Sequence, residues 1–229
     1  IFVNPMQFGP GEDYETYPRT LEVDTAALRQ ADADLLFVPA VDEIYPGEME
    51  NTTRVVVPGL GDILCGAFRP GFFTGVATVV TRLLNLVQPD VAVFGEKDYQ
   101  QLVLVRRMTS ELCLPVSIEG VATEREPDGL AMSSRNGYLG PGERATAPML
   151  YRTLAEVKAA VEGGAADYDI LERTAMDALT RAGFRPDYVS IRRAFDLGAP
   201  AAGDAALRVL AAAWLGPARL IDNLEITVP

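Results

Sequence analysis

The stretch Val91-Ala92-Val93-Phe94-Gly95-Glu96-Lys97-Asp98-Tyr99-Gln100-Gln101-Leu102 decides the fold. Four apolar residues end at a glycine. Polar and charged residues then open a segment in which Leu102, Val105, Met108 or Thr109, and Leu112 recur at helical spacing. This predicts a short strand turning directly into a helix over residues 97–112. Just upstream, Val76, Val79, Val80, Leu83 and Val87 mark a helix over 74–87, and just downstream residues 116–121 read as the next strand. Strands alternating with helices of about 10–15 residues predict an α/β fold with a parallel sheet and helices on both faces. In such a sheet ligands bind beyond the carboxyl ends of the strands, where Gly95, Glu96, Lys97 and Asp98 stand.

Working outward, residues 1–3 are apolar and end at Asn4-Pro5, where the proline stops a ladder. Residues 20–31 read as a helix, 34–38 as a short strand closed by Pro39, and Val55-Val56-Val57 as another β-branched run. After residue 123 the pattern changes. Pro141 with Glu143 opens a helix carried by Met149, Leu150, Leu154, Val157 and Val161 towards Gly163-Gly164, and Asp169 with Glu172 suggests a capping-box start for another ending near Gly183. Residues 187–191, 207–215 and 219–226 read as strands. The expectation is a first domain over 1–123 and a smaller α+β domain over 124–229. The abrupt start in an apolar run, without Met, suggests that a longer element has lost its leading part.

Composition narrows the function. The chain has 229 residues, 20 Lys+Arg against 32 Asp+Glu, and a net charge of -12. Nucleic acid is excluded as the expected partner, because its recognition needs a basic surface to neutralise phosphates. An anionic ligand would have to enter through a local basic pocket, with a divalent cation, which draws attention to Lys97 and Arg135. The two cysteines, Cys65 and Cys113, lie among apolar residues and are expected to be buried free thiols; no metal site is predicted. No apolar run approaches the roughly 20 residues that span a bilayer, and a cytoplasmic protein is expected. The chain contains no histidine, so none of these residues offers an imidazole.

Two motifs carry the chemistry. Gly95 lets a backbone approach a ligand without a Cβ in the way. Lys97 and Gln101, four apart on the expected helix, share a face, so one can hold a phosphate while the other bonds a neighbouring substrate. Asp98 can accept from ribose hydroxyls. The alternative is that Lys97, Asp98 and Gln101 form the wet face of a surface helix. In Ala131-Met132-Ser133-Ser134-Arg135-Asn136, two hydroxyls and a guanidinium are suited to phosphate oxygens. The competing reading is a serine-capped turn. Gln7, past the first apolar run, offers donors and an acceptor to a hydroxy acid, or is simply solvated.

Seven segments occur in order: Phe2-Val3-Asn4-Pro5-Met6-Gln7-Phe8, Tyr17-Pro18-Arg19-Thr20, Arg69-Pro70-Gly71, Gly75-Val76-Ala77-Thr78-Val79-Val80, the stretch from Phe94 to Leu102, Asp128-Gly129-Leu130-Ala131-Met132-Ser133-Ser134-Arg135-Asn136, and Arg219-Leu220-Ile221-Asp222-Asn223. In order and spacing they resemble the pantothenate synthetase family, the ATP-dependent pantoate–β-alanine ligases. The resemblance implies a cytoplasmic homodimer with a Rossmann-like nucleotidyltransferase domain and a C-terminal lid. It implies ATP as substrate with Mg2+, and pantoate activated as pantoyl adenylate before β-alanine attacks. It assigns Gln7 and Gln101 to pantoate, Gln7 also to β-alanine, and Gly95, Glu96, Lys97, Asp98, Glu124, Met132, Ser133, Ser134 and Arg135 to ATP. Lys97, Ser133, Ser134 and Arg135 would serve the adenylation transition state, and residues 132–135 would be this family's version of the K-M-S-K-S loop.

Three positions depart from the family pattern. Its H-x-G-H turn would lie before Ile1; its R-P-G-H-F becomes Arg69-Pro70-Gly71-Phe72-Phe73; and Glu124 replaces a small apolar residue at the adenine. Phe72 cannot donate a hydrogen bond. These departures keep two other readings open, a non-catalytic ATP- or pantoate-binding homologue and an adenylate-forming ligase with a different amine acceptor.

Overall fold

The computed structural model of the chain describes residues 1–228, and its backbone clusters into two units. One comprises Ile1–Asp90 with Arg107–Val116; the other comprises Val91–Arg106 and the chain from Ser117 onward.

The first unit is built around its longest helix. A 3-10 turn at Pro5–Gln7 is followed by α1 (Leu21–Gln30), α2 (Val41–Ile44), α3 (Cys65–Phe68) and α4 (Phe72–Val87). α1 buries none of its residues and leaves Leu21 and Val23 exposed. α4 instead buries Phe73, Val76, Ala77, Val79 and Leu84 and stops at Gln88, which adopts a left-handed conformation with φ 51°. Val79 packs with Ile44 and Tyr45, and Phe2, Met6, Met49, Val80 and Leu83 close around them. Fully burying side chains of this size is worth about 1.5–3 kcal/mol each. Arg82 of α4 reaches the same cluster, donating to the Ile44 carbonyl and to Thr52 Oγ1, with its guanidinium 4.9 Å from the Tyr45 ring centroid.

Three expected strands do not form here. Residues 1–3, 34–38 and 55–57 enter no β-ladder among the described residues. A β-branched run states a preference for extended backbone; a strand also needs a hydrogen-bonding neighbour, which local sequence cannot supply. Leu35 and Val56 accordingly stand 82% and 59% exposed.

In the second unit, β1 (Val91–Gly95) pairs parallel with β2 (Ser117–Val121), in register from Val91↔Ser117 to Gly95↔Val121. α5 (Tyr99–Glu111), of which residues 99–106 belong to this unit, connects them, preceded by a 3-10 turn at Glu96–Asp98. A β strand joined to a parallel neighbour by a helix is the predicted unit. Beyond residue 123 come α6 (Pro141–Thr146), α7 (Met149–Glu162) and α8 (Tyr168–Arg181), then β3 (Arg185–Arg193), β4 (Ala206–Leu215) and β5 (Ala218–Thr227) in an antiparallel sheet of order β3-β4-β5. One face of that sheet presents Leu207, Val209, Ala211, Ala213, Leu220 and Ile226 to Leu150, Leu154 and Val157 of α7 and Ala175 and Leu179 of α8. Strand alternation puts Arg208, Asn223 and Glu225 on the other face.

Two local expectations change. α8 is capped by Asp167, whose carboxylate accepts from Ile170 N at 3.1 Å, rather than by Asp169. Glu172, freed from a capping box, accepts from Ile191 N at 2.6 Å and Ser190 Oγ at 3.2 Å and so ties α8 to β3. Of the two free thiols Cys65 is buried, whereas Cys113 is exposed, because α5 ends at Glu111 and Cys113 sits in the turn beyond with φ 53°.

Candidate functional site

In the first unit the residue expected to meet pantoate is held by its neighbour. Asn4 is buried and caps the 3-10 turn. Its Oδ1 accepts from Met6 N at 3.2 Å and from Tyr45 Oη at 2.7 Å, while its Nδ2 donates to Gln7 Oε1 and to the Gly75 carbonyl, both at 3.1 Å. The Gln7 carboxamide is therefore oriented, not merely solvated. Burial pushes the Tyr45 phenol up to about 12, against the opposing pull of Arg82 and of the Asn4 bond. Arg69 donates to Glu12 Oε1 at 2.7 Å and Glu12 Oε2 at 2.5 Å, and to the Gln7 carbonyl at 3.3 Å. Its guanidinium lies 3.8 Å from the Phe72 ring centroid. The phenylalanine in the departed segment is thus a platform for Arg69.

In the second unit Gly95 ends β1 with φ -69° and ψ 132°, and a Cβ there would meet no atom within 4 Å. Neither the fold's packing nor its backbone angles demand glycine at this position. Lys97 and Asp98 follow in the 3-10 turn, and the α-helix begins only at Tyr99, so Lys97 and Gln101 do not share one regular α-helical face as expected. Glu96 turns its carboxylate towards Arg208, at 3.4 Å from Nη2 and 3.5 Å from Nη1. Its carbonyl and that of Lys97 each accept from Asn223 Nδ2 at 2.9 Å.

The loop expected to close on phosphates grows out of a hairpin. Met132 N donates to the Glu124 carbonyl at 2.9 Å, and Glu126 N donates to the Leu130 carbonyl at 2.8 Å. Gly129 at its tip has φ 96°, and a Cβ there would come within 2.5 Å of the Tyr151 ring, so both conformation and space require glycine. Asp128 accepts from Arg144 at 2.6 Å, and that bond holds its carboxyl below the usual range. Met132 is 53% exposed; Ser133 Oγ accepts from Arg135 N at 3.3 Å and caps the 3-10 turn Ser134–Tyr138. Asn136 Nδ2 anchors that turn to the Ala131 carbonyl at 3.1 Å. The capped-turn reading and the phosphate-loop reading are compatible, since a hydroxyl that accepts from a backbone amide keeps its own proton to donate.

Both turns, Glu96–Asp98 and Ser134–Tyr138, lie against β5. The residues that hold them were missed as functional in the sequence. Arg125 forms a two-pronged pair with Asp222, at 2.7 Å and 2.9 Å, while Nη1 also donates to the Gly129 carbonyl at 3.0 Å and the guanidinium sits 4.4 Å from the Tyr151 ring centroid. Arg208 lies 3.6 Å from the Tyr99 ring centroid and donates to Asn223 Oδ1 at 2.6 Å. The only sequence signal was the segment from Arg219 to Asn223, in which charged and amide residues interrupt a strand. Among the described residues no group of three or more His, Cys, Asp or Glu is placed to hold a metal ion, and no helix is long and apolar enough to cross a membrane.

Comparison with known proteins gives the family. The family model described as pantoate-beta-alanine ligase matches residues 1–225. A pantothenate synthetase from Thioalkalivibrio sulfidiphilus is 57% identical over 229 residues, which covers 100% of this chain and 80% of the relative. A crystal structure of pantothenate synthetase from Thermus thermophilus superposes with a TM-score of 0.93 at 50% identity, covering 100% of this chain and 82% of that one. The pantoate-beta-alanine ligase of Francisella tularensis, described as complexed with beta-gamma ATP and beta-alanine, gives a TM-score of 0.78 at 32% identity over 98% of this chain and 77% of its own. With a family model matching nearly the whole length, and with fold and sequence relatives that agree, the chain belongs to the pantoate–β-alanine ligase family.

Proposed function

We propose that this protein condenses pantoate with β-alanine at the expense of ATP, through a pantoyl-adenylate intermediate. A pantoate carboxylate oxygen attacks the α-phosphorus and pyrophosphate leaves. The β-alanine amine, having lost its ammonium proton, then attacks the acyl carbon, forming the amide and releasing AMP. The observation that carries this reading is the pair of turns held on β5, one bearing Lys97 and the other Ser133, Ser134 and Arg135.

Lys97 and Arg135 supply positive charge, and the two serines supply hydroxyl donors, to a phosphorus that gains negative charge as it is attacked. Gly95, Glu96 and Asp98 complete the nucleotide side with Glu124 and Met132. The Glu96 carboxylate faces Arg208, so its negative charge is offset on the nucleotide side. Gln101 and the oriented Gln7 are assigned to pantoate, and Gln7 also to β-alanine. ATP would enter as its Mg2+ complex, the cation offsetting phosphate charge. Residues 1–123 are assigned to nucleotide and pantoate binding and 124–229 to the lid, in a cytoplasmic homodimer.

The test is release of AMP with formation of pantothenate from ATP, Mg2+, pantoate and β-alanine by the purified protein. Lys97→Ala is expected to lower adenylate formation by about 100-fold or more while leaving the unfolding transition in place. Normal turnover by Lys97→Ala would refute the phosphate assignment. AMP release with another amine, but not with β-alanine, would favour the reading prompted by Phe72.

A further inference from the structure

Asp222 and Asn223 are neighbours in β5, buried at 3% and 4% exposure, and they point to opposite faces of the sheet. Neither is among the residues assigned to a substrate. Asp222 accepts both prongs of Arg125 and also Asn223 N at 2.8 Å. Arg125 in turn grips the tip of the hairpin that delivers residues 132–135. Asn223 spends both its amide hydrogens on the carbonyls of Glu96 and Lys97. Its orientation is not free to flip, because Arg208 donates to Oδ1 and would face a donor if the amide were reversed. Arg208 is itself fixed by the Tyr99 ring and the Glu96 carboxylate.

We propose that the Asp222–Asn223 pair is a positioning element that sets the Lys97 turn and the Ser133–Arg135 loop at one spacing, so that their donors meet the same triphosphate. This rests on the proposed function, since it concerns the nucleotide side of that reaction. The pair touches no substrate. Asn223 fixes the main chain on both sides of the peptide that carries Lys97, and Asp222 fixes Arg125. A purely local turn would leave each loop to choose its own position, and placement errors of even an ångström weaken a charge-stabilising site. Two adjacent residues on one strand make the spacing a property of the sheet.

The variants are Asn223→Ala, the milder Asn223→Ser, and Asp222→Asn, each compared with Val209→Ala, which opens a cavity in the same sheet's core without touching either loop. A positioning role predicts that each of the first three raises the KM for ATP by about tenfold while leaving the KM for β-alanine unchanged. Val209→Ala should lower the unfolding temperature and leave the KM for ATP alone. Should Asn223→Ala fail to fold, Asn223→Ser and Asp222→Asn carry the same measurement. If the unsubstituted protein turns over and these variants lose thermal stability with their KM for ATP unchanged, the positioning role is overturned while the proposed function stands. No turnover by the unsubstituted protein overturns both.

Discussion

Replacing Gly75 by alanine tests whether the Gln7 turn is set by packing. Gly75 lies in the first turn of α4, and a Cβ built on it would stand 2.5 Å from the Met6 carbonyl oxygen, 2.7 Å from the Met6 carbonyl carbon and 2.8 Å from Gln7 Cα. All three are backbone atoms, so no side-chain rotation relieves the overlap. Alanine would otherwise be welcome, since it favours an α-helix over glycine by about 1 kcal/mol. Against that stands an overpacking cost of about 1–3 kcal/mol. Moving the turn away also stretches the bond from Asn4 Nδ2 to the Gly75 carbonyl, worth about 1 kcal/mol. The helix gain and the bond loss cancel, leaving a net destabilisation of about 1–3 kcal/mol. Urea unfolding reads this as a lower midpoint at an unchanged slope. Steady-state kinetics should show a raised KM for pantoate and an unaltered KM for ATP. A Gly75→Ala protein that is equally or more stable, with the pantoate KM of its parent, would mean that helix propensity wins and that the turn is not held by this contact.

Phe72→His exchanges the ring under Arg69 for one that can donate a hydrogen bond, at a cation–π cost of about 1 kcal/mol. If this position faces the amine, the KM for β-alanine falls several-fold; an unchanged value would remove Phe72 from the acceptor side. Tyr45 gives a pH signature. Its folded value is raised from 10.0 to about 12, so the stability it contributes is complete below pH 10 and is lost as pH rises towards 12. The shift corresponds to a loss on the order of 2–3 kcal/mol across that window. Tyr45→Phe should flatten this part of an alkaline stability profile, and an equally steep fall in the variant would assign the effect to other groups.

The parallel pair and the helix between its strands were legible because an apolar run followed by helical spacing needs only a window of local sequence. The β3-β4-β5 sheet was readable for the same reason, within a few residues at its ends. Residues 34–38 and 55–57 misled because their β-branched and apolar content reports preference, not partnership. At the site, Lys97 and the two serines stood out as motifs. Asn223 and Arg208 did not, since a polar residue on an alternating strand looks solvent-facing until something covers it. Asp222 meets its partner Arg125 across 97 residues of sequence, a separation at which no spacing rule operates.

The placement of Asp222 and Asn223 on opposite sides of one strand also constrains how this part of the gene can drift. Adding or deleting a single residue between Ala218 and Ile221 would rotate the strand by half a pleat and present the carboxamide to Arg125 and the carboxylate to the Lys97 turn. Length changes at the Gly216-Pro217 tip between β4 and β5 leave both facings intact. Insertions and deletions among descendants of this chain should therefore collect at that tip and spare the four residues that follow it.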